Sequence, residues 1–431
     1  MEIAIVGAGL TGCLLATILG RRGYSVSVHE RLNDENEPSE DRKMSINLTI
    51  SERGLNALSQ AGLAHVLADA MPLRGRAIHT RSRQVRYQSY SARGDQALYS
   101  INRATLGRRL VEAAQSTPNV KVHFERRLTG FDPARGILTF GDLSVTADVV
   151  IGADGANSTV RGQLLDLGLV EETYNVLGYG YKELSIPAAD SGFALDPGVL
   201  HVWPRGDALL VAQPNPDKSF TCAIFQPTSG AASFGAMRSA AAVNRYVSLQ
   251  DPTLASLMPH LVDEYLAHPV GRLATVQCRP WQAYGKVLLV GDAAHAMVPF
   301  YGQGANCGFE DVIELDRCLT EAGGDWSRAI SAYEAHRRID CDTICALSLE
   351  NFHALRTGLG SRFSAVKDRF SAKLRRALPW AFASTHELVS FSTVRYSLVR
   401  RRVRIRRTAL LTVAGFCVLS VGTALLQLIA S

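Results

Sequence analysis

No two cysteines of this 431-residue sequence form a CxxC pair, and no histidine stands at metal-ligand spacing from a cysteine. The eight cysteines, at 13, 222, 278, 307, 318, 341, 345 and 417, are scattered. That predicts reduced thiols in a cytosolic compartment and no structural metal. No basic-then-apolar leader follows Met1, so no secretory signal is expected. Internal repeats and low-complexity linkers are also missing. Charged residues make up just 20% of the chain against 47% hydrophobic ones, which excludes a disordered protein. The length suits two closely packed domains or one large α/β body.

Basic charge is scarce except in one place. The net charge is +6, yet seven arginines lie between Arg395 and Arg407, and the remainder is close to neutral. A nucleic-acid-binding face over the main body is therefore not expected. Directly after that cluster, residues 408–430 carry no charge. As a helix rising about 1.5 Å per residue they would span roughly 35 Å, enough for a hydrocarbon core of about 30 Å. The arginines before the span would keep the body on the cytoplasmic side. The expectation is a C-terminal transmembrane helix at 408–430 that anchors a cytoplasm-facing body.

Within the body, short apolar runs alternate with amphipathic stretches. Ile3–Val6 and Ser25–His29 read as strands around a helix at Leu10–Arg21, and Lys286–Val290 reads as another buried strand. From Gly178 to Pro227 the chain is strand-rich with turn signals, which fits an antiparallel sheet covering a pocket. Gln303–Leu319 reads as a helix, and from Trp326 onward the pattern is helical.

Between the first strand and first helix lies Gly7-Ala8-Gly9-Leu10-Thr11-Gly12. Gly7 permits a tight turn, Gly9 lets the backbone approach a pyrophosphate, and Gly12 lets the helix pack on the sheet. The helix start offers free N–H groups and a positive dipole end to phosphate. Glu30, at the end of the second strand, is placed to accept ribose hydroxyls. Two later segments select FAD over NAD. The strand Val149-Val150-Ile151 runs into Gly152-Ala153-Asp154-Gly155, and Val287–Val290 runs into Gly291-Asp292-Ala293-Ala294-His295. Asp292 could hold a ribityl hydroxyl. The helix opening at Gly304-Ala305-Asn306 suits the anionic edge of a reduced flavin.

With its N-terminal GxGxxG, mid-chain DG turn and late GDAAH, the sequence resembles the flavoprotein aromatic hydroxylases over almost its whole length. Arg74–His79, Pro118–Phe124, Leu200–Arg205 and Val298–Gly304 narrow the resemblance to a branch acting on an aromatic amino acid. It implies an α/β fold: a Rossmann-like FAD-binding domain in two parts (1–175 and 276–325), an antiparallel-sheet substrate domain (176–275), a helical C-terminal region (326–407) and the anchor. It also implies that Arg76 and Tyr90, helped by Asn351 and Tyr396, grip a substrate carboxylate. Phe225, Pro299 and Phe300 would wall the ring, and Arg103 would contact a flavin phosphate. NADPH or NADH would be the cosubstrate, visiting transiently, with O₂ activated as a flavin C4a-hydroperoxide. No side chain is expected to act as nucleophile or base, His295 included. Two departures stand out: Ala305 and Cys307 flank Asn306 where the family usually has Met and Ala. A hydroxylase of another aromatic acid, a flavin reductase that inserts no oxygen, and a tethered flavoprotein without turnover remain open.

Overall fold

The computed structural model describes residues 1–33, 46–91, 95–250, 252–357 and 383–405. The span 408–430 lies outside them, and among the described residues no helix is long and apolar enough to cross a membrane.

The first strand, β1 (Glu2–Val6), is buried at four of its five positions and lies in the middle of a six-stranded sheet. It pairs in parallel with β2 (Ser25–His29) on one side and with Val149–Gly152 on the other. Val120–His123 extends the sheet beyond β2, and Val287–Leu289 extends it beyond Val149–Gly152, again in parallel. Strands covered on both faces read as unbroken apolar runs, as Val149–Gly152 and Val287–Leu289 do. Helix α1 (Leu10–Arg21) follows β1 and is buried from Gly12 to Gly20. The chain therefore leaves β1 at the point where strand order reverses, the place where such sheets open a crevice at their carboxyl ends.

A second sheet of seven strands runs Gly271–Arg279, Glu171–Ile186, Phe220–Pro227, Ala208–Pro214, Leu200–Arg205, Gly75–His79, Val85–Ser89. It is antiparallel except where Leu200–Arg205 meets Gly75–His79. The 16-residue strand Glu171–Ile186 runs across residue 176, and the hairpin Gly75–Ser89 joins this sheet through Leu200–Arg205. Nothing local in residues 75–89 could say which sheet they would join, because strand pairing is a long-range choice. One face carries an apolar layer of Leu184, Ile186, Phe220 and Cys222 packed against Tyr265 and Val243. The other carries Val202, Leu209, Phe225 and Leu273, packed with Val298 and Leu355. That second face looks toward the elements that follow the GDAAH motif.

Helix Gly304–Glu321 begins one residue later than the sequence indicated and packs against the long helix Trp326–Thr357. A short helix, Thr385–Ser390, and a helical stretch at 396–405 return to the body.

Candidate active site

The turn after β1 is built by steric necessity. Gly7 has φ +106°, and a Cβ there would come within 2.6 Å of the Ala153 carbonyl oxygen. A Cβ on Gly12 would lie 2.1 Å from the Gly7 oxygen. Gly9 differs from both: a Cβ there would meet nothing within 4 Å. Gly9 caps α1 without any side-chain hydrogen bond, and no acidic residue stands in the first turn. The exposed N–H groups and dipole end thus face an open cradle suited to a diphosphate. Glu30 stands at its side, accepting from the Ala8 N–H at 2.9 Å and the Leu32 N–H at 3.0 Å.

The mid-chain and late glycine motifs are joined by a residue that the sequence did not single out. Buried Arg161 donates to the Ala156 carbonyl at 2.6 Å, to the Ala293 carbonyl at 2.8 Å, and to Glu172. One guanidinium thus fastens the DG turn to the GDAAH turn. Asp154 accepts from Ser158 and from the Thr159 N–H, both at 2.6 Å, and so starts the helix Thr159–Asp166.

Gly291, at φ +59°, lets the chain turn at Asp292, whose side chain is exposed at the end of the strand Val287–Leu289. Desolvation by the surrounding protein raises the Asp292 carboxyl, and the positive charge of Arg103 opposes the rise. Arg103 occupies the first position of helix Arg103–Gln115, whose Asn102 cap accepts from the Ala104 N–H at 3.0 Å. Two residues far apart in sequence, Asp292 and Arg103, are thereby within electrostatic reach of one another.

The helix of Gly304, Ala305 and Asn306 starts after Gly302 at φ +64°, with no side-chain cap and no acid in its first turn. The Asn306 side chain is fully engaged with protein. It accepts from the Ser51 N–H at 2.9 Å and donates to the carbonyls of Thr49 at 2.8 Å and Gly302 at 2.7 Å. Its amide therefore positions the helix start, leaving the backbone N–H groups of that first turn for a ligand. Glycine cradle, carboxylates and uncapped helix starts together fit FAD.

Behind this helix lies a buried ionic chain. Asp311 accepts from His295 Nε2 at 2.6 Å, from Arg337 Nε at 2.7 Å and from the Gly291 N–H at 3.1 Å. Burial would depress the His295 imidazole, but the Asp311 carboxylate raises it to about 9. Burial would raise Asp311, but His295 and Arg337 hold it at about 2. His295 is thus half of an ion pair locking the Asp292 turn to the helix. Cys307 and Cys341 adjoin the pair with their sulfurs 3.6 Å apart, and Arg337 Nη2 lies 3.1 Å from the Cys307 sulfur. A guanidinium already serves as the cation of this cluster.

Arg76 and Tyr90 come together as the sequence suggested. The Arg76 guanidinium lies 5.6 Å from the Tyr90 ring centre, and its buried Nε has no hydrogen-bond partner. Arg81 and Arg83 of the same hairpin are exposed, whereas Arg76, like Arg86, is half-buried. Phe225 and Phe300 meet at 4.9 Å, and Phe352 stacks on Phe300 at 4.4 Å. Pro299 opens the short helical turn Pro299–Tyr301 and is exposed. Asn351 donates to the Phe300 carbonyl at 2.7 Å. Tyr396 is fully buried, donates to Gln303 Oε1 at 2.9 Å next to the start of the Gly304 helix, and has the Arg53 guanidinium 3.8 Å above its ring.

Two further residues escaped sequence reading. Arg53, 1% exposed, pairs with Glu310 at 2.7 Å and donates to the carbonyls of Val389 and Val394. It pins the C-terminal segment to the body, and its position inside a helix gave no sign of this. His386 stacks on Tyr90 at 5.0 Å and on Tyr301 at 6.0 Å. A lone histidine far along the chain carries no motif.

Comparison with known proteins agrees with this geometry. A family model described as FAD binding domain matches residues 1–205 and 257–342. Kynurenine 3-monooxygenase of Myxococcus xanthus is 40% identical over 92% of this chain and 87% of the relative. The chain belongs to the kynurenine 3-monooxygenase family. The Dictyostelium discoideum member of that family is 36% identical over 93% of this chain and 90% of its own length. Among solved structures, a tetrameric 2-methyl-3-hydroxypyridine-5-carboxylic acid oxygenase shares the fold. Its TM-score is 0.69 at 23% identity, over 83% of this chain and 93% of that one. As a member of the kynurenine 3-monooxygenase family, the chain is a flavin-dependent monooxygenase with FAD as cofactor and a reduced nicotinamide as cosubstrate.

Proposed function

We propose that this chain hydroxylates the aromatic ring of kynurenine, ortho to the amino group, to give 3-hydroxykynurenine. The observation that carries this reading is Arg76, a half-buried guanidinium with an orphaned Nε beside Tyr90 and His386, in a chain whose relatives are named for kynurenine. A planar guanidinium fork matches a carboxylate, and the phenol adds a directional donor. Phe225, Pro299 and Phe300 bound the ring. Asn351 contributes by holding the Phe300 carbonyl, and Tyr396 by holding Gln303 at the helix start.

The backbone at Gly7, Gly9 and Gly12 and the start of α1 would receive the FAD diphosphate. Glu30 would take the ribose, Arg103 a phosphate, Asp292 the ribityl chain, and the Gly304-Ala305-Asn306 backbone the flavin ring edge. FAD, when bound, supplies hydride acceptance from the nicotinamide and the activation of O₂. The side chains orient the ring and exclude water, and none is required as a nucleophile. In this reading residues 1–175 and 276–325 form the FAD-binding domain, which also lends Arg76, Tyr90, Pro299 and Phe300 to the substrate, 176–275 form the substrate domain, and 326–407 close the site. Residues 408–430 anchor the chain in a membrane, with the body facing the cytoplasm.

The test uses the full chain and a chain ending at Arg407. Kynurenine should stimulate nicotinamide oxidation in both, yielding a product one oxygen atom heavier, and the shorter form should partition away from membranes. Peroxide without that product would favour a reductase. Hydroxylation of another aromatic acid with kynurenine untouched would replace the substrate assignment.

A further inference from the structure

Arg76 and Tyr90 answer the carboxylate of an amino acid, and nothing described so far answers its ammonium. We propose that His386 recognises the substrate's α-ammonium, accepting a hydrogen bond through a neutral imidazole, and thereby selects amino acids over the corresponding deamino acids. The proposal rests on the reading that the substrate is kynurenine.

The ring of His386 is fixed from several sides. It stacks on Tyr90 at 5.0 Å with planes 20° apart, on Tyr301 at 6.0 Å and 27°, and lies 6.2 Å from the Phe391 ring. The short helix carrying it is started by a reciprocal capping box, with the Glu387 N–H donating to Ser384 Oγ at 3.0 Å and the Ser384 N–H donating to Glu387 Oε2 at 2.6 Å. Stacking of this kind occupies the faces of the imidazole and leaves its edge for polar contacts. The residue is half-buried, and among the described residues no hydrogen bond engages its ring nitrogens.

Desolvation comes first in setting the protonation state of the ring, and a nearby charge adds to it. Partial burial among the aromatic rings, reinforced by the positive charge of Arg76, pushes the His386 imidazole down to about 3. At neutral pH it therefore has one lone pair to offer and no charge to repel an ammonium. The neighbouring carboxylates are committed elsewhere. Glu387 is held by its capping box, and Glu350 pairs with Arg400 at 2.9 Å. With Arg76 turned to the carboxylate, the imidazole edge beside it is the acceptor best placed for an ammonium on the adjoining carbon.

Three proteins and two ligands test this. The FAD-loaded parent, His386→Phe and His386→Gln are titrated with kynurenine and with 4-(2-aminophenyl)-4-oxobutanoate, which lacks only the α-amino group. Perturbation of the flavin spectrum reads binding, and product formation gives KM and kcat. The parent should prefer kynurenine. In His386→Phe, which keeps an aromatic ring and removes the acceptor, that preference should fall roughly 10- to 100-fold, the worth of one hydrogen bond to a charged group. His386→Gln should restore part of it. An equal loss for both ligands would make His386 a packing residue, and an unchanged ratio would remove it from recognition; either overturns the proposal. A parent that binds the deamino compound as well as kynurenine overturns it too. A parent that binds neither ligand overturns the substrate reading instead.

Discussion

Arg76 sits half-buried on the strand Gly75–His79 between buried Gly75 and Ala77, with its own Nε sealed and unpartnered. A buried donor left unbonded costs about 1–3 kcal/mol, a cost that a bound carboxylate would relieve. Truncating one partner of a buried charge pair costs roughly 2–5 kcal/mol, and a half-buried guanidinium belongs toward the lower end. Titration of Arg76→Ala should show that loss for kynurenine with flavin content unaltered. Equal affinity in variant and parent would return Arg76 to the status of a hairpin charge. His386 shows how such a site can stay hidden in a sequence. Its partners Tyr90 and Tyr301 are far from it along the chain, and stacking leaves no spacing to detect.

At the scale of elements, the three glycines after β1 divide into two kinds. Gly7 and Gly12 are required by the protein's own backbone, since a Cβ at either would collide with a main-chain oxygen. Gly9 faces open space. Gly9→Val should thus fold with little loss of stability and purify colourless, whereas Gly12→Val should be severely destabilised with or without flavin. Absorbance of bound flavin together with thermal unfolding separates the two outcomes. A yellow Gly9→Val protein would contradict the pyrophosphate role. The β1–α1–β2 unit could be read from the sequence because its signals are local: a period of two, a glycine turn, a period of 3.6 and a closing acid. The late Gly291-Asp292 turn was legible for the same reason. Which sheet the hairpin Gly75–Ser89 joins carries no local signal, and neither do the roles of Arg53 and Arg161. The hairpin pairs with Leu200–Arg205, Arg53 holds the carbonyls of Val389 and Val394, and Arg161 reaches Ala293, while an arginine that ties carbonyls together resembles a surface arginine in sequence.

At the scale of the whole molecule, the ion pair of His295 and Asp311 couples the Asp292 turn to the central helix, so its protonation is felt as stability. His295 is raised from its usual value near 6.5 to about 9. Between those values the folded chain holds a proton that the unfolded chain releases, so stability is fully present below about pH 6.5 and declines toward pH 9. Asp311, held at about 2, loses its contribution only in strong acid. Unfolding temperatures measured from pH 6 to 9.5 should fall in the parent, and His295→Gln should flatten that fall while lowering the starting value. A parallel decline in both proteins would show that other groups carry the pH dependence.

The strand order of the nucleotide-binding sheet also sets a timetable for synthesis. Val149–Gly152 pairs with β1 on one edge and with Val287–Leu289 on the other. At roughly 5–20 residues per second, Val287–Leu289 leaves the ribosome on the order of ten seconds after Val149–Gly152. During that interval the nascent chain carries a complete glycine turn beside an unprotected, wholly apolar strand edge, the kind of edge that recruits other chains. Asp292 and the helix at Gly304 emerge later still. On the proposed assignment of Asp292 and the Gly304 helix to the flavin, the cofactor is not clasped from both ends until then; flavin capture becomes a late event in the life of the chain, and early release from the ribosome should yield a sticky fragment instead of a weak enzyme.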